Sequence, residues 1–333
     1  MKKTLAIVIL TWNDHENTIK CLKSMINQLE KDKKIFLVDN NSSKKIFKKT
    51  NDWIKKNYNK KVYNRILNKV EKIPDKILSK KSIFIIKNKK NLGCGYGHNT
   101  GYKFALKNKF KFIARIDNDM IVPKKFFIKI LKNFSIRKVQ AVSPKILYSK
   151  FPKMIWWMGV KIGHNLKFDK HMRDYPHGIK DNGKFKGIIE TDAIAGCASI
   201  MRSSRLKKIG LSDKDFFYGP EDIEFSKRIF STKGSLIVDR NIIIFHSVTQ
   251  SFRNLNERKI YYEYKYRLLL IKKIGTLGDK LIGYNFSLIK SVLYLFFSFK
   301  KKHRSKLRPV FLAWKDFYLN RFGEYDRKIN YPH

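Results

Sequence analysis

Short apolar runs recur through the first third of the chain, at Leu5–Leu10, Ile35–Val38, Ile83–Ile86 and Phe112–Ile116, each bounded by polar residues. Their length suits strands buried on both faces better than helices. Between the first two runs the period changes. Ile19, Leu22, Met25, Ile26 and Leu29 recur at three- and four-residue spacing, with Asn13 or Asp14 as the N-cap, which predicts an amphipathic helix. Strands alternating with helices predict a mostly parallel sheet in an α/β domain. Residues 44–82 are polar and dense in lysine, and are expected to form an exposed helical insertion. Residues 140–200 hold shorter, mixed elements broken by Gly and Pro. From Glu257 the pattern turns helical, with Tyr261, Tyr262, Tyr264 and Tyr266 set among charges. The expected division is an α/β domain over 1–255 and a helical, basic tail over 256–333.

Within that tail, Leu281–Phe299 is strongly apolar but interrupted by Asn285 and Lys290. A spanning helix needs about 20 mostly apolar residues. The run Lys300-Lys301-Lys302-His303-Arg304 follows directly, and the combination predicts an interfacial helix with a polybasic flank. A helix packed on the α/β domain is the alternative, and a true span comes last. At the other end, Met1-Lys2-Lys3 and the apolar stretch to Leu10 resemble the start of a signal peptide. That stretch stops at Thr11-Trp12-Asn13-Asp14 without a small-residue cleavage site, so it is expected to be the first strand.

Composition narrows the classes. Lys plus Arg outnumber Asp plus Glu by 73 to 27, a net charge of +46 over 333 residues. Hydrophobic residues at 43% and aromatics at 14% exclude a disordered polycation, which lacks the apolar surface to fold. The charge points to nucleic acid or an anionic membrane surface. Heavy use of Lys, Asn, Ile, Phe and Tyr favours a compositional bias over either, leaving much of the lysine as solvated surface. No nucleic-acid-binding motif is present, so no specific nucleic acid partner is expected. Cys21, Cys94 and Cys197 are widely spaced and form no zinc pattern; free thiols in a reducing compartment are expected.

Ligands on open α/β sheets bind beyond the carboxyl ends of the strands. The runs above lead into Thr11-Trp12-Asn13, Asp39-Asn40-Asn41-Ser42, Asn91-Leu92-Gly93 and Asp117-Asn118-Asp119. Two carboxylates one residue apart after a buried strand repel each other unless a hard divalent cation sits between them and substrate phosphates. Asn91–Gly101 contains four glycines, which suit either close backbone approach to a ligand or a tight turn into a helix. Glu221 and Asp222 follow an aromatic turn at the start of a helical pattern. They are either first-turn residues favourable to the helix dipole or a general base in a partly apolar cleft. His246 ends the run Ile242–Phe245 at the same edge and is a candidate third metal ligand.

Taken together, Val8–Asn13, Val38–Ser42, Asn91–Gly101, Asp117–Asp119 and Gly210–Asp213 running into Glu221-Asp222 resemble family 2 glycosyltransferases of the GT-A fold, nearest the rhamnosyltransferase-like subgroup, over roughly residues 4–250. Trp12 stands where Tyr is common, and Glu224 where Asp is frequent. The resemblance implies a Rossmann-like GT-A catalytic domain with a C-terminal helical extension. Thr11, Trp12, Asn13 and Asp39 would hold the nucleotide base and ribose, and Asn91, Gly93 and Asn99 the nucleotide or sugar. Asp117 would lie beside ribose and metal, and Asp119 would ligate Mg²⁺ or Mn²⁺, with His246. Asp222 would be the base, with Glu221 second. The expected activity is inverting transfer from a UDP- or dTDP-sugar to a glycan or lipid-linked acceptor in surface-polysaccharide assembly. The expected location is cytoplasmic, peripheral on the inner face of the membrane. The alternatives are a sugar-nucleotide nucleotidyltransferase, which calls for a glycine-rich basic loop after strand one, and a non-enzymatic polyanion-binding protein.

Overall fold

The computed structural model describes residues 3–162, 178–231, 234–248, 257–297 and 307–324. In chain order the elements begin β1 (Leu5–Thr11), α1 (His15–Met25), β2 (Lys33–Asp39), α2 (Lys44–Tyr58), β3 (Val62–Leu67), α3 (Asp75–Lys80) and β4 (Ile83–Lys87). Then come α4 (Cys94–Lys107), β5 (Phe112–Asp117), β6 (Met120–Ile121), α5 (Phe126–Leu131), β7 (Val139–Tyr148), β8 (Ile155–Trp157), β9 (Ile188–Glu190) and β10 (Ala198–Arg202). The chain continues through α6 (Ser203–Ile209), α7 (Glu221–Phe230), β11 (Ser235–His246), α8 (Glu257–Ile274), α9 (Leu277–Phe297) and α10 (Leu307–Tyr318).

One sheet runs in the order β3-β4-β2-β1-β5-β10-β7-β11-β6, with β8 on β7 and β9 on β11. The half from β3 to β5 is parallel, as the alternation of strands and helices predicts, and β10 then enters antiparallel between β5 and β7. Because alternate side chains of a strand face opposite ways, β1 feeds two cores. Leu5, Ile7 and Ile9 join the layer holding Leu22 and Met25 of α1, while Ala6, Val8 and Leu10 join the layer holding Phe104 of α4. That two-sided burial explains the uninterrupted apolar runs.

The segment 44–82 departs from the expected helical insertion. Only its two ends are helical. Ile54 of α2 is fully buried, and β3 adds an edge strand beside β4 with just Val62 and Leu67 buried. At this edge, exposed Asn64 and Arg65 sit mid-strand and break the continuous apolar run that marks the inner strands. Past the sheet, α8 carries Tyr261, Tyr266 and Leu268–Ile271 into a third core with Phe216 and Ile223 of the α/β domain and Val310, Ala313 and Phe317 of α10. The tail is thus packed helix over α8–α10, and the run 300–304 lies outside the described residues. No helix among the described residues is long and apolar enough to cross a membrane. All three cysteines are free thiols.

Candidate active site

Register aligns the functional edge of the sheet. Thr11 pairs with Asp39, Leu10 with Asp117, and Asp39 with Lys87. The polar residues that end β1, β2 and β5 therefore open on one side, and two adjoining clefts form there that share Cys94, Asp117, Asn118 and Tyr218.

The first cleft, ≈ 430 Å³, is lined by Thr11, Trp12, Asn13, Asn91 and Gly93, with Tyr262, Arg258 and Glu324 brought by the C-terminal helices. Trp12 is 43% exposed and presents its ring to solvent. Asn13 takes the left-handed conformation at φ 52°. Its backbone N–H donates to Ser42 Oγ at 2.9 Å and its Oδ1 accepts from the Ser43 N–H at 2.8 Å, tying the β1 and β2 loops together. Asn40 is the hub below. Its Nδ2 donates to Asn91 Oδ1 at 2.7 Å and to Gly93 O at 3.0 Å, and its Oδ1 accepts from Asn88 Nδ2 and the Leu92 N–H. Gly93 sits at φ +80°, and a Cβ there would lie 2.2 Å from Phe217 O. The glycine-rich segment is the turn into α4, and Gly101 lets the helix pack directly on Val8.

The second cleft, ≈ 680 Å³, is lined by Arg115, Asp117, Asp119, Trp156, Glu221, Asp222 and His246 among others. Asp119 Oδ2 and His246 Nε2 are 3.1 Å apart, and Trp156 meets the imidazole edge-on at 4.4 Å. Arg115 Nη2 donates to Glu221 Oε1 at 2.8 Å and to Cys94 Sγ at 3.1 Å, with both charged side chains buried. Asp222 stands beside this pair without an ion-pair partner among the described residues. Its Oδ2 accepts from the Gly196 N–H at 3.2 Å and its Oδ1 from its neighbour's N–H, that of Ile223, at 2.9 Å. Burial, with the Glu221 charge next to it, pushes the Asp222 carboxyl up to about 6. Burial likewise raises Asp117 to about 7, Arg115 opposing and Asp119 adding to the shift.

The sequence-derived site residues divide into three groups. Thr11, Trp12, Asn13, Asn91, Gly93, Asp117, Asp119, Asp222 and His246 all line the joined clefts. Asp39 and Asn99 do not. Asp39 is buried behind the edge, where its Oδ2 accepts from the Ser42 N–H at 3.1 Å, and Asn99 clasps the backbone of Ser212 through both of its amide atoms. Glu221 lines the cleft but is committed to Arg115.

Of the three expected metal ligands, Asp119 and His246 are in contact, while Asp117 does not bring its ligand atom within 4.8 Å of both. Among the described residues, the trio whose ligand atoms lie within 4.8 Å of one another is Cys94, His98 and Asp117. Arg115 already touches Cys94, and its guanidinium opposes a second cation there. His98 Nδ1–H donates to Cys94 O at 3.0 Å, and burial, aided by Arg115, keeps the ring neutral. Its Nε2 therefore turns a lone pair towards Asp117 Oδ1, 3.5 Å away. Cys94 and His98 lie behind Asp117 without bonding it, and neither His98 Nε2 nor Asp117 Oδ1 has a hydrogen-bond partner among the described residues. On the cleft side, the oxygen and nitrogen donors of Asp119 and His246, with Asp117 beside them, suit Mg²⁺ or Mn²⁺. Asp117, Asp119, Glu221 and Asp222 face a single guanidinium, Arg115, among the lining residues, an excess of negative charge that a divalent cation offsets.

Comparison with known proteins agrees with this fold. The family model described as Glycosyl transferase family 2 matches residues 6–210. A mannosyltransferase from Pyrobaculum calidifontis, PcManGT, solved with GDP-Man and Mn²⁺, superposes with a TM-score of 0.56 at 11% identity, over 96% of this chain and 88% of that one. S. aureus TarS 1-349 superposes with a TM-score of 0.52 at 14% identity, over 96% and 78% of the two chains. GalNAc-T7, solved with UDP, GalNAc and Mn²⁺, gives a TM-score of 0.53 at 15% identity over 80% of this chain, which spans only 50% of that protein. No curated protein matches in sequence. A mixed sheet with this strand edge, bearing an Asp-x-Asp turn and matched by the family model over most of the α/β domain, makes the chain a member of glycosyl transferase family 2, an enzyme built on the GT-A fold.

Proposed function

We propose that the enzyme transfers a hexosyl or deoxyhexosyl group, with inversion, from a UDP- or dTDP-sugar to a hydroxyl of a glycan or lipid-linked acceptor, in surface-polysaccharide assembly beside a membrane. The single observation that carries this reading is the division of labour between adjacent acids. Glu221 is held by Arg115 at 2.8 Å, whereas Asp222 lines the cleft with no ion-pair partner among the described residues. The deoxyhexose option rests on the order of the sequence motifs, which resembles the rhamnosyltransferase-like subgroup.

Trp12 offers a flat face for the nucleotide base, with Thr11, Asn13, Asn91 and Gly93 around it. Asp39 and Asn99 act from behind, holding the loops that carry these contacts. Asp117, Asp119 and His246 would hold the Mg²⁺ or Mn²⁺, which supplies a Lewis acid for the departing diphosphate. Asp222 removes the acceptor hydroxyl proton as that oxygen attacks the anomeric carbon opposite the diphosphate. A carboxylate near 6 is a stronger base than an exposed one yet stays ionised at neutral pH.

Replacing Asp222 with Asn keeps the shape and removes the base, so turnover should fall by about 10²–10⁴-fold. Donor nucleotide should still raise the melting temperature of the variant. The product anomer, read by NMR, should be inverted. Turnover within a few-fold of wild type, or a retained anomer, overturns the assignment.

A further inference from the structure

α9 is amphipathic in the wrong sense for a helix on a protein surface. Its buried positions are Asp279, Gly283, Ser287 and Ser291, a stripe of polar and small residues spaced every four. That stripe faces the protein. A Cβ on Gly283 would lie 2.9 Å from Ile271 of α8, and Trp314 Nε1 of α10 donates to Ser291 Oγ at 2.9 Å. The large apolar side chains point away. Leu281 is 60% exposed, Ile289 58%, Leu293 50% and Phe296 68%. At 100° per residue, the exposed apolar positions from Leu277 to Phe296 fill a continuous half-cylinder, in which the polar side chain is Asn285. A soluble monomer rarely leaves a contiguous apolar face of this size open to water.

We infer that this outward face of α9 docks into the interfacial layer of an anionic lipid bilayer, with the helix lying flat along it. Charge selects lipid over another copy of the chain. Between Asp279 and Asp316 the charged residues among those described are Lys280, Lys290, Arg308 and Lys315, all cations, so two such faces brought together would repel, whereas an anionic surface attracts them. Packing of the small-residue stripe on α8 and α10 leaves only half of the helix for lipid, which fits a helix lying in the interface and not one crossing it. Phe311 and Tyr318 of α10, 67% and 71% exposed, extend the same kind of surface. Beside it a groove of ≈ 700 Å³ between α9 and α10 is lined by Tyr284, Leu288, Trp314 and Tyr318, aromatic residues that favour the headgroup level. The inference deepens the membrane-side reading above by naming the docking element, and it does not depend on the donor or the base.

The test is flotation of the full chain with vesicles of phosphatidylcholine alone or containing phosphatidylglycerol. Wild type should float with the anionic vesicles and be released as salt is raised. The triple variant Leu281→Gln, Ile289→Gln, Leu293→Gln should partition at least about tenfold less well. Its melting temperature and metal-dependent donor hydrolysis in solution should be unchanged, because these side chains are exposed and remote from the strand edge. Undiminished floating of the variant overturns the inference. So does wild type that ignores vesicles but is a dimer by light scattering and becomes monomeric in the variant, which would assign the face to self-association. Because hydrolysis is scored separately, failure to dock and failure of the glycosyltransferase reading give different results.

Discussion

The Arg115–Glu221 pair offers the most quantitative perturbation. Its charged side chains are 7% and 6% exposed and 2.8 Å apart, so replacing Arg115 with Met strands the Glu221 carboxylate in the interior beside Asp222 and Asp117. Removing one partner of a buried ion pair costs about 3–5 kcal/mol, mostly because the other charge is left uncompensated. Unfolding entropy of about 2.1 cal/mol/K per residue over 333 residues gives about 0.7 kcal/mol/K. The melting temperature should therefore fall by about 4–7 °C. Glu221→Gln should cost a similar amount, since it leaves the guanidinium stranded instead. The double variant Arg115→Met, Glu221→Gln removes both charges and should recover much of the loss, so the two single effects should not add. Calorimetry on the four proteins gives the coupling, and donor turnover measured below the lowest melting temperature gives the role of Glu221. If Glu221 is a strut, its Gln variant keeps turnover within about tenfold of wild type, well short of the 10²–10⁴ expected from losing a base. Additive melting shifts, or a Gln variant as inactive as Asp222→Asn, would refute the reasoning.

Other expectations follow from single contacts. With burial and the Glu221 charge raising Asp222 to about 6, the base is ionised above that value and lost below it, so kcat/KM should decline about tenfold per pH unit on the acid side; a flat profile down to about pH 5 contradicts the role. Trp12→Ala removes the exposed ring, and base–aromatic stacking of about 1–3 kcal/mol implies a KM for donor raised about 5- to 150-fold at similar kcat. Gly101→Ala should gain about 1 kcal/mol of helix propensity, yet its Cβ would lie 2.3 Å from Val8 Cγ1. Overpacking at about 1–3 kcal/mol outweighs the gain, so the melting temperature should drop; a rise would mean that β1 and α4 can separate there.

How much was legible depends on where apolar residues are needed. β1, β2, β4 and β5 are covered on both faces, so Leu5–Leu10 and its counterparts stand out in the sequence, and with them the polar residues at their carboxyl ends. β3 needs only Val62 and Leu67 buried, which leaves it indistinguishable from polar helix. Asp117, Asp119 and Asp222 were readable because acids at strand and helix ends are conspicuous in so basic a chain. Arg115 is a lone charge in an apolar strand, and that oddity was the available signal for a buried ion pair, but its partner lies 106 residues away and no local pattern reveals it. Asp39 and Asn99 are held in internal hydrogen bonds for a related reason. Loops at a sheet edge need internal hydrogen bonds, and amide and carboxylate side chains serve that need as readily as a substrate. Arg258, Tyr262 and Glu324 reach the first cleft only because α8 and the end of the described chain fold back onto it; the tyrosine-rich pattern of 261–266 marked a helix but not its destination.

The most direct test of the central claim is nucleotide release from a panel of UDP- and dTDP-sugars, measured with Mn²⁺, after chelation, and with Asp119→Ala. The expected result is consumption of at least one donor by wild type with Mn²⁺, arrest on chelation, recovery when Mn²⁺ is restored, and no recovery by the variant even in excess metal. Release that continues after chelation, a variant that matches wild type, or a panel in which no donor is consumed would contradict it.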